Sequence, residues 1–208
     1  MKFKHCSVDE AVSEVQKGRL LIITDANDRE DEGDVFIPAE DIRAEHVNFM
    51  ITQAKGLICV PLTRDRAEKL ELPLMVAVDQ NEENTKCNFT LSVDARDGIG
   101  SGISAFDRAR TIQLLAAPET VTRDLVKPGH VFPLIAKSGG LRERQGHTEA
   151  TIELCRLAGK KPVGVICEVI GQDGKMLRGE QLGRFAREQG CKIISIAQLM
   201  EFADEKER

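Results

Sequence analysis

Short continuous apolar runs and three-to-four-residue apolar spacings take turns along this chain, the signatures of buried strands and amphipathic helices respectively. Ser7 with Glu10 forms a capping-box signature, and Ala11, Val12 and Val15 make a stripe that predicts a helix ending before Gly18. Residues 20–24 (Leu-Leu-Ile-Ile-Thr) suit a buried strand, and Val35-Phe36-Ile37 resumes that pattern until Pro38 ends it. Between the two runs stands an acidic stretch, Asp25-Ala26-Asn27-Asp28-Arg29-Glu30-Asp31-Glu32-Gly33-Asp34. Helical spacing over residues 42–54 (Val47, Met50, Ile51, Ala54) predicts a helix with Gly56 as its stop.

Residues 57–60 read as a strand, 64–70 as a short helix, 79–88 as a polar loop and 89–93 as an alternating strand. A glycine-punctuated turn over 98–102 leads to Ser104, the predicted cap of a helix through Leu115. The second half repeats the rhythm, with strands over 130–135, 163–169 and 193–196. Its helices are predicted over 147–157, 179–189 and 197–203, with a glycine-rich loop over 137–146. Strands and helices mix throughout, so the pattern predicts an α+β (mixed α/β) fold in which helices pack a mixed sheet. Nothing in the sequence marks a linker, a repeat or a low-complexity tract, so residues 1–208 are expected to form one domain.

Composition narrows the function more than the fold. The 208 residues are 41% hydrophobic and 30% charged, as in an ordinary globular protein, and without Trp or Tyr the core must be aliphatic residues, Met and Phe. A formal charge of -5 supplies no basic field for nucleic acid or an anionic membrane, so any anion must be held by a local cluster. No apolar run approaches membrane-spanning length. The six cysteines form no C-x-x-C pair, which disfavours a zinc site, and with no signal peptide at the start they predict reduced thiols in a cytoplasmic protein.

Two loops carry candidate chemistry. Six carboxylates within residues 25–34, squeezed between two apolar strands, repel one another unless something cationic neutralises them, and hard divalent ions take oxygen ligands. A solvated acidic turn and a metal or substrate site both remain open for this stretch; an EF-hand loop does not, because Arg29 and Glu30 fall where a ligand and the turn glycine are needed. The second loop, Ser138-Gly139-Gly140-Leu141-Arg142-Glu143-Arg144-Gln145-Gly146-His147-Thr148-Glu149, joins glycines and arginines to a helix start. Free backbone N–H groups there favour a phosphate, a nearby Arg clamps it, and Gly146 lets the backbone approach a ligand. His147 and Thr148 read either as ligand-binding groups or as simple helix capping. The patterns of nucleotide-binding loops are missing, which favours a smaller phosphoester. His130, between a turn and an apolar strand, and Glu168, which interrupts one, are the remaining titratable candidates. Glu168 reads either as a buried acid–base group or as an outward-facing residue of a half-exposed strand.

Taken together, Asp28-Arg29-Glu30-Asp31-Glu32-Gly33-Asp34, Phe89-Thr90-Leu91-Ser92-Val93-Asp94-Ala95 and Gly102-Ile103-Ser104-Ala105 followed by Asp107-Arg108-Ala109 resemble the 3,4-dihydroxy-2-butanone 4-phosphate synthases. Pro128-Gly129-His130-Val131-Phe132-Pro133-Leu134, Gly146-His147-Thr148-Glu149-Ala150 and Ile166-Cys167-Glu168 extend the resemblance over nearly the whole chain. The resemblance implies conversion of D-ribulose 5-phosphate to 3,4-dihydroxy-2-butanone 4-phosphate and formate through a metal-stabilised enediolate, in riboflavin biosynthesis. It further implies Mg²⁺ (with Mn²⁺ able to substitute) and a homodimer whose active sites lie near the subunit interface. By position, Glu30 and His147 would ligate the metal. Arg29, Asp34, Arg144 and Thr148 would hold the substrate, with Arg144 and Thr148 near its phosphate and Glu30, Gly146, His147 and Glu168 also around it. His130 and Glu168 would be the essential catalytic groups, with Glu32 lining the metal site among them. A free-standing enzyme is expected, because the chain lacks the zinc-site cysteine spacing of the GTP cyclohydrolase II often fused to this family. A catalytically silent homologue that binds a sugar phosphate is the alternative, but intact Glu30, His130, His147 and Glu168 speak for an enzyme.

Overall fold

The computed structural model describes residues 4–26 and 29–206, so Asn27 and Asp28 of the acidic stretch lie outside the described residues. Ser7 caps α1 (Val8–Gln16) through the predicted capping box, its hydroxyl accepting from the Glu10 N–H while the Glu10 carboxylate accepts from the Ser7 N–H. The strands are β1 (Leu21–Thr24), β2 (Gly33–Pro38), β3 (Cys59–Leu62), β4 (Val93–Ala95), β5 (Leu125–Ile135), β6 (Gly164–Glu168) and β7 (Lys192–Ser195). They form one sheet in the order β4-β5-β3-β6-β2-β1-β7. Pairing is mixed: β1 runs antiparallel to β2 and parallel to β7, while β6 runs antiparallel to both β2 and β3.

Both faces of the sheet are covered. Ile22, Val35, Ile37, Val60 and Val165 point into one apolar cluster shared with α2 (Ala44–Phe49), α3 (Arg64–Lys69), α4 (Ala105–Ala116) and α6 (Gly179–Gln189). Leu21, Ile23, Phe36, Cys59 and Ile166 point the other way, into a cluster with α1, α5 (His147–Leu157) and α7 (Ile196–Lys206). Successive strand residues therefore serve opposite layers, which is why β1, β2 and β3 are buried throughout and read as continuous apolar runs rather than alternations.

Three expectations need correction. Residues 89–93 do not form a strand: β4 begins at Val93, and Phe89 and Thr90 make only isolated bridges. Phe89 bridges Leu134 of β5 and Thr90 bridges Leu74; on the β5 side Pro133 accepts from the Thr90 N–H but has no N–H to return, so the ladder breaks. The helix over 42–54 divides, α2 being followed by a wider π turn over Met50–Ala54, and Lys55 rather than Gly56 takes the left-handed C-cap at φ 72°. Gly56 instead packs on Glu168, where a Cβ would stand 2.4 Å from Oε2. The strand expected over 130–135 starts earlier, at Leu125, because Val126 and Leu125 pair with Asp94 and Ala95.

Candidate active site and metal centre

Asp34 and Glu168 are directly opposite each other in the β2–β6 ladder, so both carboxylates rise from one face of the sheet, the face that carries α5. Two residues further along each strand, Phe36 and Ile166 share that face, and Ile166 in turn pairs with Cys59 of β3. Cys59, Leu134 and Ile166 make the apolar floor of a cavity of about 220 Å³. Its walls are the acidic loop (Arg29, Glu30, Glu32, Asp34), the start of α5 (Arg144, His147, Thr148) and the polar loop (Glu83, Thr85, Cys87, Phe89), with Glu168 at the strand end.

The acidic loop is folded around Asp25, which is 8% exposed. Its Oδ2 accepts from Arg29 Nη1 at 2.8 Å and the Glu30 N–H at 3.1 Å, and its Oδ1 accepts from the Glu32 N–H at 2.9 Å. Arg29 also pairs with the Glu30 carboxylate. The loop therefore turns Glu30 toward α5, where His147 Nδ1 stands 4.0 Å from both Glu30 Oε2 and Asp34 Oδ2. Burial drives the His147 imidazole down to about 4, against the pull of Asp25, so near neutral pH it is an uncharged ligand rather than a cation.

The carboxylates shift the other way. Asp34 is held well above the usual range by burial and by Glu168, Glu30, Glu32 and Asp25, and its Oδ1 has no hydrogen-bond partner. Glu168 is raised by burial and by Glu30, although the Leu57 N–H donates to its Oε2 at 2.8 Å. Glu32 is raised by burial and Glu30, with Arg178 opposing. A set of acids that cannot all ionise together is short of positive charge, and a divalent cation is the group that would reverse all three shifts. Ligand atoms of Asp25, Glu30 and His147 lie within 4.8 Å of one another, and two carboxylate oxygens with an imidazole nitrogen fit a hard to borderline divalent ion. The sequence reading paired Glu30 with His147 for this role. The structure adds Asp25, which already accepts three hydrogen bonds and is chiefly the brace of the loop.

The opposite wall is cationic. Arg144 donates from Nη1 to Glu149 Oε2 at 2.7 Å, from Nε to the Thr85 carbonyl at 2.9 Å and from Nη2 to Thr85 Oγ1 at 2.8 Å. Three of five guanidinium hydrogens are thus engaged, leaving one on each terminal nitrogen for an anion beside the N-terminus of α5. A Cβ on Gly146 would lie 2.1 Å from Arg144 Nη1, so what this glycine makes room for is the Arg144 guanidinium itself. Thr85 is held in turn by Glu83, whose Oε1 and Oε2 accept from the Thr85 N–H and hydroxyl.

His130 is not in this cavity. It sits on β5 with Nδ1 2.6 Å from Asp94 Oδ2, its side chain 42% exposed, and Gly102 clears the space that a Cβ would take from the pair. Of the ten residues singled out from the sequence, the structure gathers Arg29, Glu30, Glu32, Asp34, Arg144, His147, Thr148 and Glu168 around one cavity, sets Gly146 behind Arg144 rather than in the lining, and leaves His130 outside. Sequence reasoning missed Glu83, Thr85 and Glu149 as site residues. The polar loop gave no periodicity to interpret, and Glu149 was legible only as the residue after His147-Thr148.

Comparison with known proteins bears directly on this arrangement. The sequence model of the family described as 3,4-dihydroxy-2-butanone 4-phosphate synthase matches residues 9–202. The chain belongs to that family. A 3,4-dihydroxy-2-butanone 4-phosphate synthase of Pseudomonas aeruginosa is 48% identical over 196 residues, covering 94% of this chain and 53% of the relative. A riboflavin biosynthesis protein of Aquifex aeolicus is 45% identical over 203 residues, 97% of this chain and 50% of its own. A crystal structure of a 3,4-dihydroxy-2-butanone 4-phosphate synthase in complex with two magnesium ions superposes with a TM-score of 0.92 at 39% identity, covering 97% of this chain and 98% of that one. This chain therefore spans about half the length of the curated relatives it matches, while the magnesium-bound family structure is matched almost end to end.

Proposed function

We propose that the chain converts D-ribulose 5-phosphate to 3,4-dihydroxy-2-butanone 4-phosphate and formate, a lyase step of riboflavin biosynthesis that requires Mg²⁺ and accepts Mn²⁺. The observation that carries this reading is one small cavity with a surplus of carboxylates at one end and a half-free arginine at a helix N-terminus at the other. A phosphorylated sugar has the matching asymmetry, hydroxyl and carbonyl oxygens at one end and a dianion at the other.

In this reading Arg144 and Thr148 bind the phosphate and fix the sugar's direction. Glu30 and His147, with Asp25 behind them, hold the divalent cation. When bound, that cation supplies positive charge to the sugar oxygens and so acidifies the neighbouring C–H. Asp34, raised by burial and the surrounding carboxylates, and Glu168, raised by burial and Glu30, hold and exchange protons on the sheet face that carries α5. Glu32 lines the same end, and Arg29 keeps Glu30 turned inward.

His130 takes its place through a second copy of the chain. Its Asp94 partner orients the imidazole outward, and the neighbouring Ile103 and Phe106 are 52% and 77% exposed, an apolar surface suited to burial in a homodimer. All six cysteines are free, which suits a cytoplasmic enzyme, and among the described residues no helix is long and apolar enough to cross a membrane.

Formate release from D-ribulose 5-phosphate, measured with Mg²⁺, with Mn²⁺ and with EDTA, tests the proposal. Formate that depends on the metal is expected. Binding of the sugar phosphate without any formate would refute it.

A further inference from the structure

The acidic loop presents Glu30 and Glu32 to the cavity, yet its own bonds are nearly all internal, made to Asp25 or Ala26 at its base. Among the described residues, the hydrogen bonds that tie residues 29–32 to another part of the fold come from one side chain, Arg178, at the N-cap of α6. Arg178 Nε donates to the Asp31 carbonyl and Nη2 to the Glu30 carbonyl, both at 3.0 Å. The same guanidinium is 3.6 Å from Glu32 Oε1 and 3.8 Å from Asp31 Oδ2. Between those two carbonyls the backbone is forced into the left-handed region, Asp31 having φ 55° without being a glycine. A strained residue in a segment of repelling carboxylates persists only if something outside fixes it. The guanidinium presents its two donors at a fixed spacing in one plane, whereas a lysine must reach both carbonyls from a single nitrogen, with bonds that are less evenly matched.

We propose that Arg178 is a positioning residue, a latch that locks the acidic loop in the one conformation that aims Glu30 and Glu32 at the cavity. It touches neither the cavity nor any reacting atom, and its side chain is 51% exposed, so it acts through the loop alone. The proposal deepens the functional reading above and rests on it for the role of Glu30. It also ties the site to α6, whose Leu182 packs against Gly33 at the loop's other end, where a Cβ would meet the leucine at 2.5 Å.

The test compares Arg178→Ala and Arg178→Lys with wild type, using Arg187→Ala on the exposed side of α6 as a control for the lost charge. The first readout needs no turnover: hydrogen exchange of the Glu30 and Glu32 amides in metal-free protein. It should quicken at least tenfold in Arg178→Ala and nearly as much in Arg178→Lys, with α6 and the thermal midpoint little changed. The second is Mn²⁺ affinity followed by the ion's paramagnetic resonance, which should weaken roughly tenfold in both variants and stay unchanged in Arg187→Ala. If wild type releases no formate but the exchange and Mn²⁺ effects appear, the functional reading falls and the latch stands. Unchanged exchange in Arg178→Ala overturns the latch. So does unchanged Mn²⁺ affinity with quickened exchange, because the loop's position would then not matter to the site. Full rescue by Arg178→Lys, or an equal loss in Arg187→Ala, also overturns it by reducing Arg178 to its charge.

Discussion

Glu149 offers the sharpest test of how the cationic wall is built. Its side chain is 1% exposed and bonds twice, Oε2 accepting from Arg144 Nη1 at 2.7 Å and Oε1 from the Lys137 N–H at 3.0 Å. Glu149→Ala removes one partner of a buried ion pair and strands a guanidinium that is itself 12% exposed. Breaking such a pair from one side costs about 3–5 kcal/mol, and the orphaned Lys137 N–H adds about 1 kcal/mol. Against a total stability of about 5–15 kcal/mol, that is a large loss. Removing both charges at once leaves no unpaired buried charge, only the Lys137 N–H and the Thr85 oxygens without these partners, so Arg144→Met with Glu149→Leu should cost clearly less than the two single losses summed. The assay is urea unfolding of Glu149→Ala alongside wild type, Arg144→Met, Glu149→Leu and their double variant, with a coupling of at least about 1.5 kcal/mol expected in that cycle. A Glu149→Ala variant within about 1 kcal/mol of wild type, or a coupling near zero, would show that solvent already satisfies Arg144 and that the pair does not fix its direction.

Three further outcomes follow from the charges around the cavity. Folded Asp34 keeps its proton to higher pH than the unfolded chain, so metal-free protein should lose stability as pH rises above the ordinary carboxylate range near 4. Asp34→Asn should therefore stabilise the metal-free protein at pH 8 in urea melts, and a loss of stability would refute that charge argument. His147 gives the opposite slope, because below about 6.5 the unfolded chain takes up a proton that the buried imidazole refuses until about 4. Stability is thus lost as pH falls through that window, and His147→Asn should flatten the change in urea midpoint between pH 7 and pH 5; an undiminished slope would exclude His147 as its source. Glu168→Gln keeps an acceptor for the Leu57 N–H but cannot exchange a proton, so formate release should fall about 10²- to 10⁴-fold while the sugar phosphate still binds, and near-normal turnover would remove Glu168 from the chemistry.

Local signals carried the framework where backbone rules act within a few residues. The Ser7–Glu10 capping box, Ser104 as a cap and the helices His147–Leu157 and Gly179–Gln189 stand where the pattern put them. Errors fell where a distant partner decided the outcome. The alternation over 89–93 was real, but whether it became a strand depended on Pro133 in β5, forty residues away in the chain. The stop after the helix over 42–54 passed to Lys55 because Gly56 was needed against Glu168, a contact invisible to local reading. The site divides in the same way. Glu30, Asp34 and Glu168 stood out because each broke an apolar pattern or crowded like charges, and His147 because it opens a helix behind a loop of glycines and arginines. Thr85 and Arg178 act through hydrogen bonds to groups far along the chain, and Glu149 binds Arg144 only five residues away, but none of the three carries a pattern of its own.

The residues that broke local rules are those that the fold gathers. A carboxylate at the end of a buried strand, a run of like charges between two strands and a left-handed aspartate each weaken the fold where they stand. Asp34 and Glu168 meet only because β2 and β6 are neighbours in an antiparallel register that sets position 34 against position 168. A shift of one residue in that register would send one of them into the opposite apolar layer among Val35 and Cys167. The packing of both faces thus fixes the register that holds two acids side by side, and their burial next to Glu30 is the source of the demand for a cation. Stability of the sheet and unsatisfied charge at its end are two consequences of the same pairing. Mutations that relieve the charge should therefore strengthen the metal-free fold while they weaken the site.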